Sequence, residues 1–430
     1  MGPSLKRAVT ARLLFLFVLG DIMGAGIYVL VGQVAGKSGG AVWLPLLIAL
    51  GLATLTAASY AEMATKYPRA GGASHYTHRA FGAAAGSVVG FCMVAGGLVS
   101  VAALARGFAG DYLAQFVALP VPLVVTVFLA ALAALNIRGI TESLRANMVA
   151  TLVEVGGLLL IIGLGVWVMA RGDADLGRLG ELGTPTHGPV AAVLAGAVLA
   201  YYSFCGFETS VNIAEETRDP RRAYPQALLG AMAVAGVIYV SIGVVASAVV
   251  PTGELASSSG PLLEVVRVAG GVPLWVFSLV ALVAVANGAL LTGIMSSRLT
   301  YGMARDGLLP AVLTRVLPRR RTPWVAVLVT TALSLALALT GDVAGLAETL
   351  VLMLLVVFTG VNAAVLRLRR EEGDAPDHFR VPTIVPWLGI ASCLLLVTQV
   401  RGEVWVRGLV LLAIGGVLAV VNAKRGTRVG

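Results

Sequence analysis

Twelve apolar runs divide this 430-residue chain, and most approach the roughly 20 residues a helix needs to cross a bilayer. Their approximate limits are 12–35, 41–65, 81–113, 121–137, 145–170, 190–215, 224–250, 271–298, 323–341, 344–366, 382–400 and 404–422. Inside lipid every backbone N–H and C=O must be satisfied within the structure, so runs of this length predict helices. Strands of a membrane barrel are shorter, about ten residues each. Only 12% of the residues are charged and 58% are hydrophobic, with mean hydropathy +0.91. A soluble chain carries roughly 25% charged residues, so a water-soluble globule is excluded. The expected fold class is an all-α membrane protein with twelve transmembrane helices.

The basic residues set the expected direction of the chain. With the N-terminus inside, 24 of the 31 Lys and Arg fall in cytoplasmic segments, among them Lys66, Arg138, Arg218, Arg305 and Arg369. Such sorting supports cytoplasmic N- and C-termini. It also assigns the net charge of +9 to topology and predicts no nucleic-acid partner. Cys92, Cys205 and Cys393 lie in three different apolar runs, which gives neither a disulfide framework nor a metal spacing. Four histidines fall in loops without an HExxH pattern, so no metal and no cofactor is expected. No GxxxxGK[ST] motif offers ATP a site. The first apolar run is followed by a second span and not by a cleavage site, so no cleavable signal peptide is expected.

Two of the runs carry a built-in defect. The first reads VLGDIMGAGIYVL, where Gly24 and Gly26 remove side chains and permit non-helical backbone. The sixth reads LAYYSFCGFETSVNIAEE, where Gly206 follows the small Ser203 and Cys205. Interrupted helices at corresponding positions of two halves point to a transporter site built on inverted repeats. A half-helix that starts at such a break offers free N–H groups and a positive dipole end to a carboxylate. One that ends there offers carbonyls to an amine. Small residues also serve close helix packing, but two matching breaks favour the site.

Four stretches resemble the amino acid–polyamine–organocation (APC) superfamily: GDIMGAGIYVL, GFETSVNIAEETRDPRRAYPQAL at 206–228, SSRLTYGMARDGLLP at 296–310 and PDHFRVPTIVPWLG at 376–389. They reach across nearly the whole chain in the right order. The resemblance implies the LeuT-type fold, with repeats at 12–170 and 190–367, broken helices one and six, and peripheral helices at 381–422. Residues 1–11 and 423–430 would be cytoplasmic tails. It further implies that Gly24, Ala25 and Gly26, with Ile22 and Met23 beside them, face the substrate carboxylate. Ser203, Phe204 and Cys205 would lie in the second break and offer carbonyls to the ammonium. Tyr202 aligns with an aromatic gate over the substrate, although a core tyrosine would read the same way. Cys205 leaves room for a side chain or simply packs.

Of the acids inside the apolar runs, Asp21, Glu154 and Glu208 are the informative ones. Asp21 lies nine residues after Arg12 and Glu154 nine after Arg145, each roughly 13 Å from a charged boundary. An acid at that depth is costly and is a functional candidate by default. Some proton-coupled relatives carry a basic residue on the fifth helix, where this chain has Glu154. Protonated Glu154 would donate to a carbonyl freed near Ile22 or Met23, and Asp21 would share the proton if close. Glu208 is a second proton site or a brace for the break. Glu215, Glu216 and the following arginines read as a salt-bridged joint.

The expected function is a secondary transporter in the plasma (inner) membrane. It would carry an amino acid or related amine, with protons as the coupling ion. An exchanger is the alternative of the same class. A channel would need a carbonyl or charge filter, and no TVGYG-like stretch exists. An enzyme would need clustered His, Cys or acids. No acid is assigned to the pocket, which disfavours a strongly cationic substrate.

Overall fold

A computed structural model describes residues 9–24, 26–68, 72–138, 143–185, 188–318, 320, 322–371 and 378–426. Side chains at 143–148, 212, 213, 215, 216, 371 and 418–426 stand outside the description. The joint expected at Glu215 and Glu216 therefore lies outside the described side chains. Among the described residues the chain forms helices and no β-strand.

The first span is a pair, α1 (Ala11–Ile22) and α2 (Gly26–Ser38), whose axes bend by 42°. Then come α3 (Trp43–Lys66), the short α4 (Gly72–Phe81), α5 (Ala83–Phe108), α6 (Asp111–Ala114), α7 (Val121–Arg138) and α8 (Ser143–Ala170). The second half holds α9 (Pro189–Phe204), a 3-10 segment Phe207–Glu216, and α10 (Pro220–Val249). Two short helices, α11 (Thr252–Ser257) and α12 (Pro261–Ala269), precede α13 (Leu274–Arg305) and α14 (Trp324–Thr340). The chain closes with α15 (Val343–Leu368), α16 (Ile384–Val397) and α17 (Gly402–Gly426). Among the described residues eight helices are long and apolar enough to cross a membrane, or ten if each of two bent pairs is one span. The second pair, α16 with α17, turns by 119°, and α14 is an apolar helix of 17 residues.

Local signals place the helix ends. Thr10 caps α1 by accepting from the Leu13 N–H, and Asp342 caps α15 by accepting from Gly345 at 2.8 Å. Proline opens α9, α10 and α12, where its missing N–H costs nothing. Burial is uneven. The apolar stretches of α5 and α15 are 72% buried, whereas those of α7 and α8 are 33% buried and turn Leu123, Val127, Val166 and Trp167 outward. A helix apolar all round with one side exposed is what a lipid-facing position demands.

The two interrupted spans lie side by side. α2 packs on α9, and α1 packs on α10 and on the 3-10 segment. α3 packs on α9 and α10, while α13 and α15 each pack on α5. A polar seam joins α3 to α15. Ser59 donates to Asn362 at 2.6 Å, and Asn362 donates to Thr56 at 3.2 Å. Further along, both oxygens of the fully buried Glu62 meet the Arg369 guanidinium, with Nε at 2.7 Å. Val381 donates its N–H to Glu62 at 2.9 Å and accepts from Arg369 at 2.6 Å. Lys66 adds a bond to the Leu368 carbonyl at 2.9 Å.

Candidate functional site

At the first break α1 ends at Ile22, and Met23 returns its N–H to Leu19 at 2.7 Å. The carbonyls of a last turn lack partners within the helix. Here Tyr239 of α10 donates its hydroxyl to the Ile22 carbonyl at 2.8 Å. α2 then starts at Gly26, so its first-turn N–H groups have no partner inside the helix. A Cβ on Gly26 would stand 3.0 Å from the Tyr202 ring and 3.1 Å from the Ser203 Cα. Gly24 is open, with only the Asp21 carbonyl at 3.5 Å from its Cβ position. Ala25 lies outside the described residues.

The second break is shorter than the sequence suggests. Ser203 and Phe204 complete α9, and the interruption is Cys205 and Gly206. Gly206 adopts φ 127°, which side-chain-bearing residues rarely adopt. A Cβ there would overlap the Asp21 carbonyl oxygen and approach its carbon to 2.8 Å. The two breaks therefore touch, backbone to backbone. Beyond Gly206 the chain continues as a 3-10 helix and not as an α-helix. Its own side chains explain this, because they compete for the backbone groups that an α-helix would use. Glu208 accepts from the Gly206 N–H at 2.8 Å, and Ser210 donates to the Phe207 carbonyl at 2.6 Å.

The three acids separate into two places. The Thr209 hydroxyl donates to the Asp21 carboxylate and lies 2.9 Å from the Gly206 carbonyl. Asp21 thus reaches across from the first break to the second, while Glu208 braces the second from within. Glu154 is fully buried on α8. Its Oε1 accepts from Asn287 of α13 at 3.1 Å, and its Oε2 meets no partner among the described residues. The Glu154 carbonyl takes the Tyr28 hydroxyl at 2.6 Å, and the Tyr28 carbonyl takes the Tyr112 hydroxyl at 2.8 Å. Tyr239 takes the Ile22 carbonyl, one of the two expected for Glu154, and the two acids take different side-chain partners, Thr209 for Asp21 and Asn287 for Glu154.

A cavity of about 1610 Å³ is lined by residues of both breaks and also by the basic His78, Arg298 and Arg305. Asp21, Ile22, Gly24, Gly26, Tyr202, Ser203, Cys205 and Glu208 all line it, whereas Met23 and Phe204 do not. Phe204 packs against Tyr239 instead, with ring centroids 5.2 Å apart. The Tyr202 hydroxyl meets Ser100 of α5 at 3.0 Å, and the same ring stands against Gly26. Cys205 donates to the Tyr201 carbonyl at 3.3 Å and remains half-buried at the cavity wall. Among the described residues no three His, Cys, Asp or Glu side chains gather to hold a metal. Sequence reasoning missed Thr209, Tyr239, Asn287 and Ser100. Their only signal is polarity inside an apolar run, and their partners lie far away in the chain.

A family model described as amino acid permease matches residues 12–417. The chain belongs to that family, within the APC superfamily. This permease is 28% identical to the branched-chain amino acid permease BcaP of Bacillus subtilis over 98% of its own length and 94% of the relative's. It is 25% identical to a methylthioribose transporter of the same organism, over 99% and 95%. It is 32% identical to the vacuolar cationic amino acid transporter 4 of Arabidopsis thaliana, over 87% of this chain and 65% of that one. The family and these relatives are transporters and not enzymes, and the permease is a multi-pass membrane transporter.

Proposed function

We propose that this permease carries an amino acid or related amine across the plasma membrane by alternating access, with the substrate held between the breaks of the first and sixth spans. The observation that carries the reading is the meeting of the two breaks at the head of the cavity. The free N–H groups of α2 suit a carboxylate, and the last-turn carbonyls of α9 suit an ammonium. The names of the relatives, a branched-chain and a cationic amino acid transporter among them, favour the same substrate class.

In this reading the topology has twelve spans in two five-helix repeats, with both termini cytoplasmic. The 119° turn supports it, because α16 and α17 then form a hairpin of two spans. The 17-residue α14 supplies another. The basic end is the cytoplasmic one, so the cavity opens inward and Tyr202 closes the outer side. Coupling is assigned to protons through Glu154. A fully buried carboxylate with an oxygen that meets no partner among the described residues is where an arriving proton removes the penalty of a desolvated charge.

The test is uptake of a radiolabelled amino acid panel into proteoliposomes at fixed membrane potential, with and without an inward pH gradient. The wild type should accumulate substrate only with the gradient. Glu154→Gln keeps the shape and should retain counterflow while losing the response to pH. A full pH-driven response in the Gln variant would remove Glu154 from the coupling role. Uptake that ignores the gradient and requires internal amino acid would make the protein an exchanger.

A further inference from the structure

The breaks account for the two charged ends of an amino acid, and the opposite wall of the same cavity faces its side chain. Contacts place that wall. Ser100 meets the Tyr202 hydroxyl, and Tyr202 packs on Gly26. One turn away on α5 are Gly96 and Gly97. A Cβ on Gly97 would overlap the Ser296 hydroxyl of α13, and one on Gly96 would stand 3.1 Å from Leu350 of α15. The missing side chains thus draw α13 and α15 against α5 at the depth of the breaks. The residues this packing turns toward the cavity are Leu104, Leu291, Met295, Leu350 and Leu354.

Ser100, Ser296 and Asn287 nearby are already engaged. Ser100 holds Tyr202, and Ser296 donates to the Thr292 carbonyl at 2.8 Å. Asp21 and Glu208 line the cavity from other elements, α1 and the 3-10 segment, the halves that run toward the basic end. Thr209 and the Gly206 N–H bond to them there. Asn287 bonds to Glu154. A cationic side chain resting on the leucine wall would be desolvated without a carboxylate beside it, which is expensive. His75, His78, Arg298, Arg305 and Asp306 line the cavity from α4 and the C-terminal end of α13.

Resting on the amino acid reading above, we infer that the substrate carries an uncharged aliphatic or thioether side chain, and that Leu350 and Leu354 determine this specificity. The same wall disfavours lysine, arginine and glutamate.

Equilibrium binding of tritiated leucine, isoleucine, methionine, lysine and arginine to the purified full-length protein tests it. The first three should bind, and lysine and arginine should bind at least about 100-fold more weakly. Lysine or arginine within about tenfold of leucine would overturn the inference while leaving the amino acid reading intact. Binding of none of the amino acids would overturn that reading, and the inference with it. Leu354→Asp puts a carboxylate on the wall and should shift the leucine-to-lysine ratio by tenfold or more in lysine's favour, on the order of one buried contact. An unmoved ratio in a variant that elutes as a single folded species would show that the side chain does not rest there. Should Leu354→Asp fail to fold, Leu354→Ala serves instead. It should lower the preference for leucine over alanine by about tenfold. A wild-type preference in that variant would overturn the assignment.

Discussion

Gly206→Ala is the sharpest test of the touching breaks. The single added methyl has two effects. It asks a side-chain-bearing residue to hold φ 127°, and it overlaps the Asp21 carbonyl oxygen, with the carbon only 2.8 Å away. The first effect costs about 1–3 kcal/mol. The second cannot be relieved by turning a side chain, because the neighbour is backbone. The first break must move away from the second, or Gly206 must change its conformation. Either response biases the transport cycle by roughly 5- to 150-fold, the factor that corresponds to 1–3 kcal/mol. Gly163→Ala is the control, since nothing stands within 4 Å of its Cβ position. Initial uptake rates in proteoliposomes, normalised to folded protein, are the assay. Gly163→Ala should transport like the wild type, and Gly206→Ala should fall within that range below it. Wild-type uptake by folded Gly206→Ala would refute the argument that this contact sets the geometry of the site.

Gly26→Val should abolish substrate binding, because its Cβ starts 3.0 Å from Tyr202 and 3.1 Å from the Ser203 backbone; retained binding would count against the site. A methyl ester of the best substrate should compete poorly, since it loses the charge that the α2 N-terminus favours; equal competition by ester and acid would remove that role. A thiol reagent should modify Cys205 ahead of the buried Cys92 and Cys393, and substrate should slow the reaction; mass spectrometry after brief labelling reads both points. Glu62→Gln leaves the Arg369 guanidinium buried without its counter-charge, at a cost of about 3–5 kcal/mol. The thermal transition of the purified protein should drop clearly, and an unchanged transition would show that the pair does not hold the fold.

The breaks were readable because glycine is a local signal. Gly24, Gly26 and Gly206 interrupt apolar runs, and an interruption needs no partner to be seen. Their extent was less readable. Ser203 and Phe204 are compatible with either a break or a last helical turn, and only the conformation of Gly206 decides. The 3-10 form of Phe207–Glu216 depends on Glu208, Thr209 and Ser210 turning back on the backbone, which a run of helix-compatible residues does not announce. That Asp21 and Glu154 lie within helices was readable, but their partners were not. Thr209 is 188 positions from Asp21 and Asn287 is 133 from Glu154, so the pairings are properties of the packing. The same is true of Tyr239, which takes the carbonyl expected for Glu154.

The polar seam between α3 and α15 constrains how the protein can change shape. α3 packs on the broken sixth span, whereas α15 belongs to the leucine wall. From Thr56 to Lys66 the two helices are fastened by hydroxyl, amide and ion-pair contacts that cannot slide past one another without exposing buried charge. The half of the molecule that carries the breaks therefore cannot lift away from the wall along this line. A rearrangement that keeps this seam intact turns about it, as a door swings on its hinge pin, with its free edge away from α3 and α15.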